Sequence, residues 1–332
     1  MNNSKRIVFL DYARVFTAFL VVFAHVYPVN SQVRLYVYAF HMPLFFIISG
    51  FLHSPKTSST ELLKYIRTLF VPTLFFILFG VIMSLVFFKG NIINLTSKII
   101  ENVALWGNVP GNGTVWFLFA LLNVKIIMLL YLKFTEMLTK YHKLLFLLGL
   151  FFGIFYGIRM LLRTPLDPFF IKQTLMAFPL YFLGYYTRKL YNKGLLSSPS
   201  NWTCIMVAVA LLVLCVLITK VNGRVSMNGF SFGHFKYPLN ILLFYVNGVI
   251  GSLMVIFISL MLRKENRLIT LTANALISIL GFQVPLMCAI HCFEIGGNYF
   301  ISSLLSIFII TVCVILNQLI MRVCPELLGK KR

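Results

Sequence analysis

The chain has 332 residues, of which 60% are hydrophobic and only 11% are charged. An ordinary soluble domain is about 45–50% apolar and about 25% charged, so this composition excludes a soluble globular protein. The formal net charge of +21 does not indicate a nucleic-acid-binding protein, because Lys and Arg lie in short loops between apolar segments rather than on one amphipathic face.

Apolar segments recur along the chain, each long enough to cross a hydrocarbon core of about 30 Å as a helix. Charged residues, Pro, Gly and Asn bound them. The sequence therefore predicts an all-α, polytopic membrane protein with about ten transmembrane helices. The predicted spans are 7–28, 33–53, 65–88, 114–132, 143–161, 170–187, 203–219, 239–262, 268–290 and 299–321.

The loops predict how the chain is oriented in the membrane. An even number of spans puts both termini on one side, and Lys and Arg are about twice as frequent in the loops of that side. The positive-inside rule then predicts that both termini are cytoplasmic. The Gly/Asn-rich connections 89–113 and 220–238 fall on the outer side, where they are suited to receive a polar ligand. We expect residues 1–332 to form a single transmembrane domain with no appended soluble domain.

The first span, LDYARVFTAFLVVFAHV at residues 10–26, contains three ionisable groups. From Arg14 to His25 a helix turns through three revolutions plus about 20° and rises about 16.5 Å, so both side chains share one face. Asp11 lies three residues before Arg14, close enough to pair with it. Because charge at membrane depth is costly, this alignment favours a polar cavity. The structural alternative is an Asp11–Arg14 ion pair with His25 simply near the interface.

The second span places His41 near its outer end, so His25 and His41 are expected at similar depth. Imidazole takes up a proton near neutral pH, which suits a general base. Two histidines also suit a metal, but a metal site requires a third ligand, and the other candidates at this depth are His234 and His291. We expect no metal.

Basic residues in the third and fourth spans suit an anionic ligand. Lys64 and Arg67 share a helix face at the cytoplasmic interface, where they suit a phosphate-rich cytosolic molecule. For Lys64 alone, the positive-inside signal is a sufficient explanation. Lys125 lies mid-span beside Asn123, and the sequence leaves open whether it pairs with Asp11 or belongs to the same cavity.

Two motifs resemble the acyltransferase-3 family, the bacterial integral-membrane O-acyltransferases. Arg14 followed by ten residues and His25, in a helix that begins LDYAR, resembles the R-x10-H signature of that family. FHMPLFFIISGFL at residues 40–52 resembles its second-helix FF-x-x-SGF stretch, and the FHMP start is closest to the fucose 4-O-acetylase-like branch.

Further segments extend the resemblance over most of the chain. They are GTVWFL at residues 113–118 and ISILGFQVPLMCAIH at residues 277–291. In the third helix the family usually has two Arg three residues apart, whereas this chain has Lys64 and Arg67.

The resemblance implies transfer of an acyl group, usually acetyl from cytosolic acetyl-CoA, to a hydroxyl of a surface glycan or lipid-linked saccharide. The enzyme would be a multi-pass protein of the bacterial inner membrane. By this analogy His25 is the catalytic base, and Arg14 and Arg67 assist the donor. From the residues themselves we add His41 and Asp11 as catalytic candidates. The expected donor-binding residues are Arg14, Arg67, Lys64 and Lys125. We add Ser49 and Asn123 as oxyanion candidates.

A secondary transporter of a small polar solute is the main alternative, because ten helices, intramembrane charge and a broken-helix motif such as SGF also describe a permease. Inverted repeats between the halves would favour it. The Arg/His pattern of the first span has no counterpart in the sixth, so we favour the enzyme over the transporter and over a non-catalytic membrane scaffold.

Overall fold

The computed structural model describes residues 6–26, 32–88, 100–107, 109, 112–161, 164, 166–194, 199–223, 227, 238–291 and 298–331. These residues contain no β-strand, so the all-α prediction is confirmed for the described part of the chain. The α-helices are α1 (Val8–Val26), α2 (Gln32–Phe51), α3 (Ser59–Tyr65), α4 (Val71–Phe88), α5 (Trp116–Glu136), α6 (Lys140–Leu161), α7 (Ile171–Asn192), α8 (Asn201–Asn222), α9 (Pro238–Leu260), α10 (Arg267–Asn274), α11 (Leu276–His291) and α12 (Tyr299–Val323).

Eight helical segments in the described residues are long and apolar enough to cross a membrane, or nine if the bent pair α10–α11 forms one span. Helix α7 is not among them, because polar residues and tyrosines along its length, together with charged residues near both ends, lower its mean hydropathy. Ten spans and two cytoplasmic termini therefore stay predictions. Large apolar side chains, including Leu78, Phe152, Leu212 and Ile307, are exposed on the outer helices, as expected for a protein surrounded by lipid.

The central helix α2 packs against α1, α7, α8 and α9. Its contact with α7 depends on two glycines, since a Cβ at Gly50 would overlap the Tyr181 carbonyl and a Cβ at Gly184 would overlap the Ile47 carbonyl. Small residues allow such close backbone approach between membrane helices. Helix α2 continues without a break through Ser49 and Gly50, so the interpretation of SGF as a broken helix was wrong.

Two predicted spans differ from straight helices. The span predicted at 268–290 bends by 72° between α10 and α11, where Ala275 leaves the helical conformation with ψ near 6°. The third span begins as α3 and passes through a π-helical turn, Ile66–Phe70, before α4. Pro72 follows this turn inside the continuous helical segment Ser59–Val86, so its missing N–H leaves one hydrogen bond of that segment unmade.

Candidate active site

Helix α1 carries an ionic cluster at its N-terminal end. The buried carboxylate of Asp11 pairs with the guanidinium groups of both Arg6 and Arg14. Arg14 Nε also donates to the Leu10 carbonyl at 3.3 Å, and Arg6 Nη2 donates to the Asn274 side chain at 3.4 Å. Asp11 therefore fixes Arg14 and, through Arg6, connects α1 to α10.

Arg14 opens onto a cavity of about 290 Å³, which we call the Arg14 pocket. Its walls are mostly apolar, with a few polar side chains from separate parts of the chain. Those polar lining residues are Arg14, Ser49, Asn274, Gln283 and Lys330. The pocket therefore combines two cationic groups with a long apolar wall.

A second cavity, of about 40 Å³, lies around His25 and is called the His25 pocket. His25, Tyr38, His41, Thr114, Trp116 and Gln283 are among its lining residues. The structure thus brings together the two histidines that the sequence placed at similar depth, with the ring of Tyr38 5.7 Å from the ring of His25 and 4.9 Å from the ring of His41.

Hydrogen bonds define the tautomer of His25. Its Nδ1 lies 2.7 Å from the Val21 carbonyl, and because a carbonyl oxygen only accepts, Nδ1 carries the proton. In the neutral ring, Nε2 then presents its lone pair, to which the Tyr38 hydroxyl donates at 3.2 Å. His41 Nδ1 makes the same type of bond to the Val37 carbonyl at 2.8 Å. Both neutral imidazoles are thereby held with an unprotonated Nε2, the nitrogen that a general base uses to accept a proton.

The two pockets adjoin. Val21, Leu280 and Gln283 line both of them. Val21 lies on α1 between Arg14 and His25, so the cavities follow the face of α1 that the helical period predicts.

Several predicted site residues lie elsewhere. Lys125 lines neither pocket: its Nζ lies 4.9 Å from the centroid of the Tyr65 ring and 5.9 Å from that of Tyr181. Because Asp11 is occupied by Arg6 and Arg14, pairing of Lys125 with Asp11 is wrong.

Asn123 also lines neither pocket. Its amide donates to the Phe169 carbonyl at 2.9 Å and to the Thr174 hydroxyl at 3.2 Å, so it connects α5 to the start of α7. The structure therefore does not bring this oxyanion candidate to the two cavities. Ser49 does line the Arg14 pocket.

The two basic residues predicted in the third span, Lys64 and Arg67, have different surroundings in the structure. Lys64 pairs with Glu61 at 3.1 Å, outside both pockets. Arg67 lies in the π-helical turn and is not a lining residue, but Gly329 packs directly against its carbonyl, which puts Arg67 beside the segment that carries Lys330.

The metal alternative has no geometric support in the described part of the chain, which holds no cluster of three His, Cys, Asp or Glu residues suited to a metal. His234 lies outside the described residues, and His291 is the last residue of α11. Much of the predicted loops 89–113 and 220–238 also lies outside them.

Sequence reasoning missed several lining residues, among them Tyr38, Gln283 and Lys330. Gln283 had a signal, since it is a polar residue within the apolar run ISILGFQVPL, two positions before a proline. No sequence signal singled out Lys330, because it lies in a basic C-terminal segment of the kind that the positive-inside rule already explains. It reaches the pocket only through the tertiary fold.

Comparison with known families gives one match. The acyltransferase-3 family model, described as an acyltransferase domain, matches residues 7–321, which is nearly the whole chain. Comparisons with curated proteins and with solved structures each gave no match.

Proposed function

Because this chain belongs to the acyltransferase-3 family, we propose that it transfers an acetyl group from cytosolic acetyl-CoA to a hydroxyl of a saccharide on the outer side of the bacterial inner membrane. The acceptor is a surface glycan or a lipid-linked saccharide, of the kind modified by the fucose 4-O-acetylase-like branch. The observation that carries the proposal is the adjoining pair of cavities, one with cationic groups and one with two imidazoles.

The Arg14 pocket is suited to the donor. The phosphates of acetyl-CoA are anionic, and Arg14 and Lys330 contribute positive charge to this cavity. The Arg67 backbone carbonyl packs against Gly329, next to Lys330, so we keep Arg67 as a candidate donor-binding residue. Asp11 serves this site indirectly, by holding the Arg14 guanidinium in place.

The donor's flexible arm would run along α1. The rise of about 16.5 Å from Arg14 to His25 is comparable to an extended pantetheine arm. The apolar wall of the Arg14 pocket suits the methylene groups of that arm, and the shared boundary at Val21 leads towards His25.

In the His25 pocket, the acceptor hydroxyl would meet the thioester. His25 Nε2 removes the hydroxyl proton as the oxygen attacks the thioester carbonyl carbon. A C–O bond forms, the C–S bond breaks, and the thiolate leaves as CoA after taking the proton from His25. The products are the acetyl ester and free CoA. Tyr38 orients the imidazole through Nε2 until the acceptor replaces it, and His41 lines the same cavity.

The volume of the His25 pocket favours a small acyl group. A water molecule requires about 10–15 Å³ of cavity, so about 40 Å³ accommodates roughly three such groups. An acetyl group has three heavy atoms. This size is in keeping with acetyl as the transferred group.

Transfer of labelled acetyl from acetyl-CoA in native membrane vesicles tests the proposal. His25→Ala should lower the rate by about 10²- to 10⁴-fold, the usual contribution of a general base. Protein level and CoA binding should stay near the wild-type values. His142→Ala is the matched control, because His142 is an exposed imidazole on α6, hydrogen-bonded to Thr139.

Retained transfer in His25→Ala would contradict the assignment of the base, and loss in His41→Ala alone would move that role to His41. The transporter alternative predicts solute flux with no labelled saccharide, so the same vesicles distinguish the two functions.

A further inference from the structure

Gln283 is a buried amide whose hydrogen-bonding groups are unused. Its side chain on α11 is 1% exposed, and neither Oε1 nor Nε2 has a hydrogen-bond partner among the described residues. Buried polar groups are rarely left unpaired, and each exception calls for an explanation such as a ligand or a catalytic role. Gln283 is also the one polar residue among the three that line both pockets.

The helical turn that carries Gln283 is held in place by the neighbouring loop. Pro285 has no N–H to donate to the Gly281 carbonyl one turn earlier, and the Asn112 amide donates to that carbonyl at 2.8 Å instead. The Thr114 hydroxyl donates to the adjacent Leu280 carbonyl at 2.8 Å. These two hydrogen bonds therefore fix the backbone of the turn that bears Gln283, at the boundary between the two pockets.

We propose that Gln283 binds the acyl end of the donor and acts as a catalytic residue, an inference that rests on the proposed function above. Its Nε2–H donates to the carbonyl oxygen of the thioester. Negative charge develops on this oxygen when the acceptor hydroxyl attacks, and a fixed N–H donor stabilises it more in the transition state than in the ground state. Its Oε1 accepts the amide N–H that lies two carbons from the thioester sulfur of CoA.

This assignment explains why both amide atoms of Gln283 are unpaired in the protein alone. It also replaces Asn123, whose amide donates to Phe169 and Thr174 and lines neither pocket. Gln283 is better located than Ser49, which lines the Arg14 pocket alone. The reaction balances as before: the carbonyl oxygen regains its double bond when the C–S bond breaks, and Gln283 keeps its protons.

Two substitutions test the role of the amide. Gln283→Leu removes both polar groups, and Gln283→Glu keeps the shape but replaces the donor by an acceptor. Each should lower kcat for CoA release from acetyl-CoA in native membranes by about 10²- to 10³-fold, the usual effect of losing one oxyanion donor. Free CoA has no acyl carbonyl but keeps the amide N–H that Oε1 accepts. Gln283→Glu retains an acceptor for that N–H, so its binding of free CoA should change by less than about threefold, whereas Gln283→Leu should weaken binding by up to about tenfold, the loss of one hydrogen bond of about 0.5–1.5 kcal/mol.

Gln173→Leu is the matched control. Gln173 is also 1% exposed and its Oε1 lacks a partner among the described residues, but it lies on α7 and lines neither pocket. Its kcat should stay within about threefold of the wild type.

The thermal midpoint gives a readout independent of activity. Replacing a buried, unpaired amide by Leu removes a polar group that nothing in the protein satisfies, so Gln283→Leu should unfold at the same temperature as the wild type or higher. A lower midpoint would show that Gln283 is structural and would overturn the inference.

A kcat for Gln283→Leu and Gln283→Glu within threefold of Gln173→Leu would also overturn it. Absence of CoA release by the wild type would instead refute the proposed function, and this inference with it. The two failures are therefore distinguishable.

Discussion

The contribution to stability of the hydrogen bond between Asn112 and the Gly281 carbonyl can be measured with a double-mutant cycle. In a regular α-helix the Gly281 carbonyl would accept from the N–H four residues later, but that residue is Pro285. Asn112 is fully buried, and its Nδ2 donates to the Gly281 carbonyl at 2.8 Å and to the Phe76 carbonyl at 3.2 Å. Asn112→Ala therefore removes the partner of a carbonyl whose helical donor is missing.

The expected cost follows from that missing donor. A buried carbonyl left without a partner costs about 1–3 kcal/mol, so Asn112→Ala should lower the free energy of unfolding by that amount. In a Pro285→Ala background, the new backbone N–H bonds the Gly281 carbonyl within the helix. Asn112→Ala should then cost less, and the two substitutions should show a coupling of about 1–2 kcal/mol.

Unfolding of the purified protein in mixed micelles of increasing SDS content gives the four free energies. Pro179→Ala is the control background, since Pro179 interrupts α7 and its missing N–H concerns a different carbonyl. Asn112→Ala and Pro179→Ala should be additive within about 0.5 kcal/mol. The same additivity with Pro285→Ala would refute our account of how the turn bearing Gln283 is held.

Two further substitutions address the donor site and the helix packing. Lys330→Ala should raise the KM for acetyl-CoA about tenfold, or about 1.4 kcal/mol, with kcat unchanged. Lys331→Ala should leave the KM unchanged, since Lys331 is exposed and lines neither pocket. Initial rates in vesicles measure both KM values, and equal effects would show that Lys330 is not part of the donor site. Gly50→Ala should destabilise the protein by at least about 1–3 kcal/mol, because the added Cβ would overlap the Tyr181 carbonyl. Gly153→Ala should leave the stability unchanged, because its added Cβ meets no atom within 4 Å. SDS unfolding measures both free energies, and an unchanged stability in Gly50→Ala would contradict the observed contact between α2 and α7.

The sequence was sufficient for features that depend on a single helix. The length of apolar runs predicted the helices, and the helical period predicted that Arg14 and His25 share the face of α1 that lines the two cavities. The Asp11–Arg14 pair followed from a spacing of three residues. These predictions require only the geometry of one helix and the cost of charge at membrane depth.

Features that depend on which helices meet were not predictable in the same way. Lys125 and Asn123 are polar residues two positions apart in an apolar span, and nothing in their local sequence distinguishes a cavity from a contact with α7. The bend at Ala275 likewise has no proline or glycine at that position. Lys330 reaches the Arg14 pocket because Gly329 packs against the π-helical turn, a contact between segments more than 250 residues apart.

The sizes of the two cavities bear on the choice between transfer and transport. A permease must pass its whole substrate through the narrowest part of its pathway, whereas a transferase requires only the reacting end of the donor to reach the acceptor. Here a cavity of about 290 Å³ adjoins one of about 40 Å³, and Val21, Leu280 and Gln283 stand at their boundary. A boundary that admits an acyl group and retains the remainder of CoA is what a transferase requires. Enlarging it with Leu280→Ala should therefore extend the accepted acyl chain from acetyl towards butyryl, with little change in CoA binding. If butyryl transfer does not rise relative to acetyl transfer, the boundary does not set the length of the acyl group.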